Sequence, residues 1–231
     1  MNTLFEILQT AGVFVVGIAL RFLMLLVVLA IMSIPVAALV AVFVGFEKMR
    51  EGRTGLISED GLKLARARRY APSHTWLSRR FGTLRIGLDD LARHLLPGTT
   101  KVTLPSVGAH LIAGLPAVGI ACGERTTTIP SPVTGRVTAV NPAVENDPDL
   151  LQSSPYGKGW LFTVKPESDA WVRFPKGAAA RAWFHDERAR LSRHLEAELG
   201  LAAADGGELV YPAPALLTDE KWQALVSAFL H

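Results

Sequence analysis

The sequence predicts an N-terminal transmembrane α-helix, then an all-β domain, then helices at the C-terminal end. Residues 22–46 carry no charge until Glu47 and make roughly 37 Å of helix, against a bilayer core of about 30 Å. From His74 the pattern changes to short alternating stretches separated by Gly, Pro and Asn, which is typical of β-strands. Beyond residue 166 the chain is rich in Ala, Glu, Leu and Arg, which favours helix.

The composition excludes several classes of protein. The chain has 231 residues, 49% apolar and 19% charged, so it is not a disordered chain. Its mean hydropathy of +0.27 and the apolar segment at its front argue against a wholly soluble protein. A single cysteine, Cys122, allows neither an internal disulfide nor a Cys-rich metal site.

Residues 1–46 form the predicted membrane anchor. A cleaved signal peptide needs a basic start and an apolar core of about 7–15 residues, but no Lys or Arg precedes Arg21 and the apolar run is longer. We therefore expect a retained helix over about 22–46, with a modest kink at Pro35. A continuous helix of about 40 residues would measure roughly 60 Å. Its first part must then lie at the interface or be covered by another membrane subunit.

Basic residues set the predicted orientation. Only Arg21 precedes the span, whereas Lys48, Arg50 and Arg53 follow it closely. The positive-inside rule then places the C-terminal part in the cytoplasm, on a single-pass protein of a bacterial-type inner membrane. Arg21 either reaches the outer headgroups or pairs with an acidic group of a partner subunit.

A basic juxtamembrane linker is predicted at residues 47–73, with a short helix at 59–69. Its basic cluster at 48–69 directly follows the span, where anionic lipid headgroups attract Lys and Arg. Lipid is therefore the expected partner of this segment, and nucleic acid is not.

The β domain is predicted from a series of short strands with one amphipathic helix, DDLARHLL, among them. Several short strands at this spacing favour a small barrel or sandwich. The predicted strands cover 84–88, 101–105, 109–114, 117–122, 126–132, 135–141 and 159–165.

Six sequence blocks within residues 74–166 carry a family resemblance. In order and spacing they resemble the glycine cleavage system H protein, which implies a lipoyl-type barrel-sandwich hybrid whose hairpin presents a lipoyl-lysine. The resemblance also implies a carrier that visits partner enzymes and is not itself an enzyme. The blocks are His74-Thr75-Trp76, Leu84-Arg85-Ile86-Gly87-Leu88-Asp89-Asp90, Leu104-Pro105-Ser106-Val107-Gly108, Ser131-Pro132-Val133-Thr134-Gly135-Arg136-Val137, Asn141-Pro142-Ala143-Val144-Glu145-Asn146-Asp147-Pro148 and Ser154-Pro155-Tyr156-Gly157-Lys158-Gly159-Trp160-Leu161.

The chain departs from that family at the residue that matters most. Ungapped counting places the lipoyl-lysine position on Glu124, and no lysine lies between Lys101 and Lys158. A carboxylate cannot form the amide that holds lipoate, and the neighbouring Arg125 stays protonated. We expect a surviving hairpin without its cargo, and a buried, structural Cys122 rather than an exposed thiol activated by Arg125.

No other chemistry stands out. The histidines form no metal-binding pair, and the sequence has no GxGxxG, P-loop or GxSxG motif. The sequence therefore predicts no catalytic residue, no metal and no cofactor.

A helical extension is predicted at residues 167–231. Its first helix stops at Gly200, and Thr218 caps a final helix that ends at Leu230. Trp222, Leu225, Val226 and Phe229 share one face of that helix, which either packs on the β domain or docks a partner.

Together these features predict a non-catalytic accessory or scaffold subunit of a cytoplasm-facing membrane complex, with integral membrane and cytoplasmic subunits as partners. By analogy, an electron-transfer complex is the expected assembly. The alternatives are a lipoate carrier of the glycine cleavage type and a membrane-fusion-type secretion adaptor. The candidate partner-binding residues are Arg21, Phe14, Gly17, Trp222 and Phe229.

Overall fold

The computed structural model describes residues 14–29, 31–34, 55–59, 61–199 and 217–231. The chain divides into two units, Met1–Arg53 and Thr54–His231. Each unit is considered by itself below.

Helix α1, Phe14–Ile34, is the described part of the first unit. Its apolar side chains are exposed along its length, from Phe14 at 70% to Ile34 at 67%. The helix is long and apolar enough to cross a membrane, a composition that suits an anchor and also a signal sequence. The predicted extensions of this helix, at 1–13 and 35–46, lie outside the described residues.

Three sheets build the described part of the second unit, and none of them is closed. A hairpin of β1 and β2 stands alone, β3, β4, β5, β11, β10 and β7 form a six-stranded sheet in that order, and β6, β8 and β9 form a three-stranded one. Every pairing is antiparallel. The strands are β1 Leu56–Glu59, β2 Leu62–Ala65, β3 Arg69–Ala71, β4 Thr75–Arg80, β5 Thr83–Leu88, β6 Lys101–Thr103, β7 His110–Leu111, β8 Pro116–Cys122, β9 Arg125–Pro130, β10 Gly135–Val140 and β11 Trp160–Pro166.

The predicted all-β domain is thus confirmed, as an open sandwich with one apolar core. Buried side chains alternate along the strands, as they must when only one sheet face is covered. On β5 Leu84 and Ile86 point inward, and on β11 Phe162 and Val164 do so. These side chains join those of the other sheet and of the helices in a single cluster.

The prediction of a short helix at 59–69 is wrong. Strand β1 ends at Glu59, Gly61 takes a φ of +85° at the turn, and β2 follows at once. Leu62 and Leu64 are buried on either side of an exposed Lys63, which is the two-residue period of a strand. Residues 55–73 therefore belong to the folded β domain rather than to a linker, and residues 47–54 lie outside the described residues.

Short helices join the strands. Helix α2, Asp90–Leu95, confirms the predicted DDLARHLL helix, and the Asp89 carboxylate caps it by accepting from the backbone N–H groups of Leu91 and Ala92. Helix α3, Pro142–Asn146, helix α4, Leu150–Ser153, and a 3₁₀ helix, Ala170–Arg173, complete this part.

Two further helices lie in the described part of the C-terminal extension. Helix α5, Ala178–Leu199, and helix α6, Asp219–Leu230, lie where the sequence predicts them, and the Thr218 hydroxyl caps α6. Gly200 and the loop that follows lie outside the described residues.

The apolar face of α6 packs on the β domain. Trp222 and Phe229 are each 1% exposed, and the Trp222 indole donates to the Leu95 carbonyl at 3.3 Å. This corrects their place among the partner-binding candidates, because side chains enclosed in the chain's own core present no surface to a partner.

A close approach between two strands requires glycine at position 87. A Cβ there would lie 2.5 Å from Cζ2 of Trp76, which is directly opposite on β4. The Trp76 ring cannot yield easily: it is fully buried, its indole donates to the Pro155 carbonyl at 3.1 Å, and the Arg68 guanidinium lies 3.5 Å from its centroid.

We predict that Gly87→Ala destabilises the β domain by about 1–3 kcal/mol, the usual cost of overpacking. The thermal midpoint of the full chain in detergent micelles measures this. Gly119→Ala is the matched control, because its Cβ meets only the Thr103 side chain, at 3.4 Å from the Cβ of that residue. Equal midpoints for both variants would contradict the packing described for Trp76.

Candidate functional site

The hairpin of β8 and β9 carries the position that the sequence singles out. Cys122 pairs with Arg125, so Gly123 and Glu124 form a two-residue turn. Gly123 has a φ of +62°, and a glycine with positive φ at the first central position is what a type II′ hairpin turn requires. The sequence prediction of a tight turn at Gly123 agrees with this geometry.

Glu124 lies exposed at the tip of this hairpin. The three-stranded sheet contains one lysine, Lys101, which lies on β6 opposite Ala121 and not in the turn. A carboxylate at the tip cannot accept an acyl group as an amide. The residues at the turn therefore do not fit a lipoyl group.

Cys122 is half-buried and packs against the core. Burial raises the pKa of its thiol, against the opposing effects of Thr99, 3.8 Å away, and of the Arg125 charge. A thiol with a raised pKa is a poor nucleophile at neutral pH. The structural role expected for Cys122 is therefore the one that the geometry favours.

Helix α6 holds the outer edge of this hairpin. Arg125 donates to Asp219 at 2.7 Å and to the Leu217 carbonyl at 2.6 Å. Further along β9, Gln223 donates to the Thr126 carbonyl at 3.1 Å, and His231 bonds the Thr128 carbonyl at 2.9 Å. These contacts cover carbonyls that an edge strand otherwise leaves open.

A shallow groove runs over the same sheet beside the tip. Its walls come from all three strands and from α6, and threonine hydroxyls line part of a mainly apolar surface. The lining residues include Lys101, Thr103, Thr126, Thr128, Gln223 and His231.

A second group of titratable residues lies in the core, around His74. Its Nδ1 donates to Asp89 at 2.9 Å, and its Nε2 lies 3.5 Å from a Glu187 carboxylate oxygen on α5. The Trp183 ring stacks on the imidazole with centroids 5.0 Å apart. Arg190 completes the group, with 2.7 Å to Glu187 and 4.3 Å to the Phe229 centroid.

The charges in this group explain the direction of the pKa shifts of His74 and Glu187. Burial by itself would lower the pKa of His74, but Asp89 and Glu187 outweigh burial and raise the pKa to about 9. Burial likewise acts to raise the pKa of Glu187, yet His74 and Arg190 hold it below its usual range. His74 is thus a buried cation between two carboxylates, closed off from solvent, which is a structural role and not a catalytic one.

Metal chemistry finds no support in the part of the chain that the structure describes. No group of three or more His, Cys, Asp or Glu side chains there is arranged to hold a metal ion.

The predicted site residues belong to two separate units. Phe14, Gly17 and Arg21 lie on α1, where Phe14 and Arg21 are exposed and Gly17 is half-buried, and Glu124 lies in the second unit. The sequence interpretation missed that Arg125 fastens α6 and that Glu187 reaches His74. The only sequence signal for the first contact was Asp219 in the first turn of a predicted helix.

Comparison with known proteins assigns the chain to a family. Residues 68–173 match the family described as Glycine cleavage H-protein. The glycine cleavage system H protein of Acinetobacter baylyi is 36% identical over 104 residues, which cover 84% of its length and 45% of this chain. The chain belongs to the glycine cleavage H-protein family. The H protein of Mycobacterium leprae is 41% identical over 96 residues, which cover 73% of its length and 41% of this chain.

A solved structure adds one likeness. The crystal structure of the glycine cleavage system H protein from Mycobacterium marinum covers 53% of this chain and 99% of its own, at 25% identity and a TM-score of 0.47. The family match ends at residue 173, so α1, α5 and α6 lie outside it.

The buried His74 makes stability depend on pH. Its pKa is about 9 in the folded chain and about 6.5 in the unfolded one, so its contribution is complete below pH 6.5 and is lost as pH rises through 9. The free energy of unfolding should fall by on the order of 3 kcal/mol across that window.

The check compares the thermal midpoints of the wild-type chain and His74→Asn from about pH 6 to 9.5 in detergent micelles, a range that spans both pKa values. Asn tolerates the φ of +51° at this position and cannot titrate. The wild type should lose stability relative to the variant as pH rises. Parallel curves would show that folding does not change the pKa of His74, and a wild type that gains stability as pH rises would show that His74 is neutral when folded.

Proposed function

We propose that this chain is a membrane-anchored, non-catalytic accessory subunit whose H-protein-like domain binds other proteins without carrying lipoate. The observation that carries the proposal is Glu124 at the tip of the β8–β9 hairpin, where the family resemblance implies a lysine. The family's members are carriers and not catalysts, which agrees with a protein that is not an enzyme.

The hairpin has kept its shape while losing its acceptor. Its two-residue turn is of type II′, and its register is continuous from Val118–Ile129 to Cys122–Arg125. Arg125 and Gln223 fix β9 to α6, so the hairpin is a supported surface. A supported hairpin beside a groove that is mainly apolar, with threonine hydroxyls along part of it, suits contact with a partner protein.

The anchor role rests on α1. Its side chains find no cover within the described part of the chain, and its apolar length matches a bilayer. With the basic residues that follow it, the positive-inside rule places the β domain in the cytoplasm, at a bacterial-type inner membrane. Integral subunits of a larger complex would cover Phe14, Gly17 and Arg21, and cytoplasmic subunits would meet the β domain. By analogy, an electron-transfer complex is the assembly that we propose.

A lipoate carrier is the second candidate, and the names of the curated relatives favour it over the scaffold hypothesis. A carrier would need another acceptor. Lys101 is the lysine that the hairpin's own sheet offers, and it is exposed. Lys101 lies on strand β6, whereas the family resemblance implies an acceptor lysine in the turn.

A membrane-fusion-type secretion adaptor has less support. Such adaptors insert a long coiled-coil hairpin into their lipoyl-type domain. Here β8 and β9 are joined by Gly123 and Glu124 alone, which leaves no room for one.

Restoring the acceptor tests the proposal directly. We predict that Glu124→Lys, expressed with an active lipoate-attaching system, gains a lipoyl adduct, because the turn still presents residue 124. Intact-mass measurement reads the result. Glu124→Gln is the control and should stay unmodified.

A comparison with Lys101→Arg separates the two candidates. An adduct on the Glu124→Gln chain that disappears in the Lys101→Arg variant would establish the carrier and refute the scaffold. No adduct on Glu124→Lys would refute the claim that the hairpin keeps the family's shape.

Deletion of residues 1–20 tests the anchor and the complex separately. We predict that the shortened chain stays in the membrane after an alkaline wash, since the apolar residues from 22 onward remain, but no longer co-purifies with an integral subunit in mild detergent. Glu124→Ala and Cys122→Ser should leave assembly unchanged. Unaltered assembly after the deletion, or purification of the wild type as an isolated monomer, would contradict the proposal.

A further inference from the structure

The β4–β5 hairpin has an unusual turn. Arg80 pairs with Thr83, so Phe81 and Gly82 form a two-residue loop, and both have positive φ, +46° and +79°. Positive φ at both central positions defines a type I′ turn, for which Asn-Gly is the preferred pair. A phenylalanine in the left-handed region carries backbone strain, because its Cβ crowds the neighbouring backbone.

Nothing in the described chain compensates that strain. Phe81 is 102% exposed, so its ring lies wholly in solvent. A large apolar side chain in water gains no burial, and an asparagine would suit the turn better. The residue therefore serves something other than the fold of this hairpin.

The sheet face behind the tip is positively charged. Residues directly opposite on antiparallel strands share a face. Arg85 pairs with Ser78 on one side and with Thr163 on the other, and these three residues lie on the outer face. Arg80 pairs with Thr83 two residues along, on the same face. Lys165 is two residues from Thr163, so it shares this face with its partner Arg136. We call this surface, together with the tip, the basic hairpin face, formed by Arg80, Phe81, Arg85, Arg136 and Lys165.

Few acids balance these cations. Among the residues that the structure describes, no carboxylate lies within ion-pair distance of any cation on the basic hairpin face. At the same edge, Glu167 is already paired with His110 at 2.8 Å. Arg85 lies over the Trp160 ring at 4.6 Å, and burial, with the charge of Arg80, lowers its pKa. The face therefore has positive charge available for an anionic partner.

We propose that the basic hairpin face docks on an anionic bilayer surface, with the arginines and Lys165 at lipid phosphates and Phe81 inserted among the headgroups. An apolar tip flanked by basic residues is the pattern of interfacial membrane contact. This inference rests on the membrane location given under the proposed function.

Nucleic acid fits the face less well. Proteins that bind single strands on a sheet stack bases on aromatic side chains of the sheet face. Phe81 instead projects beyond the strands at the turn, where it cannot lie under a base that the arginines hold. A bilayer needs no such platform.

The experiment attaches an environment-sensitive fluorophore at position 81 of the full chain, on the thiol introduced by Phe81→Cys in a Cys122→Ser background. The chain is reconstituted into vesicles of phosphatidylcholine alone or of phosphatidylcholine with phosphatidylglycerol. We expect a blue shift of the emission in the anionic vesicles only, lost in high salt and in the chain that also carries Arg80→Gln and Lys165→Gln. The same probe introduced by Glu124→Cys should not shift.

The outcomes separate this inference from the proposed function. Retention of the chain in vesicles after an alkaline wash tests the anchor independently of the emission. Unchanged emission in anionic vesicles, an equal shift in both vesicle types, or a shift that appears only on addition of a single-stranded oligonucleotide would each overturn the membrane docking.

A stability measurement tests the strain at Phe81 without a fluorophore. Phe81→Asn should raise the thermal midpoint of the full chain in detergent micelles, because asparagine relieves the turn. A lowered midpoint would mean that Phe81 supports the fold, which would overturn the argument for a contact outside it.

Discussion

The folded unit depends on one buried charge, the His74 imidazolium between Asp89 and Glu187. Asp89 serves two purposes at once, because one carboxylate oxygen accepts from His74 and the other caps α2. Glu187 brings in α5, and Arg190 continues the chain of charges to the carbonyl of Ala228 and the ring of Phe229 on α6. Removing one member would leave an uncompensated charge in the core, which is far more costly than the pair itself is stabilising. The cluster therefore joins the family's β domain to the helices that the family match does not include.

That attachment determines what the hairpin at Glu124 can do. With α6 held from the His74 side, its polar face lies along β9, where Arg125, Gln223 and His231 make the contacts between helix and strand. The hairpin of a carrier presents a modified residue to successive partners, whereas this one is fastened at its edge and ends in a carboxylate. The scaffold hypothesis follows from that combination, while the relatives' names alone favour the carrier.

The sequence was informative where a local rule decides the structure. Alternation predicted the strands from residue 84 onward, and the motif blocks predicted the family. The sequence prediction failed at 59–69, where Ala and Arg favour helix locally. The chain instead turns at Gly61, and the alternating burial of Leu62 and Leu64 is that of a strand. The sequence could not decide whether Trp222 and Phe229 pack on the β domain or contact a partner, because a helix has the same periodicity in both cases. It could not show the His74–Glu187 contact either, since only the tertiary fold brings α5 to that ring.

We propose that this H-protein-like domain works without lipoate. The most direct measurement is the intact mass of the wild-type chain purified from its own membranes, with no added lipoate-attaching system. We expect the mass of the unmodified polypeptide. A lipoyl or octanoyl adduct on any lysine of the native chain would contradict it and establish a carrier.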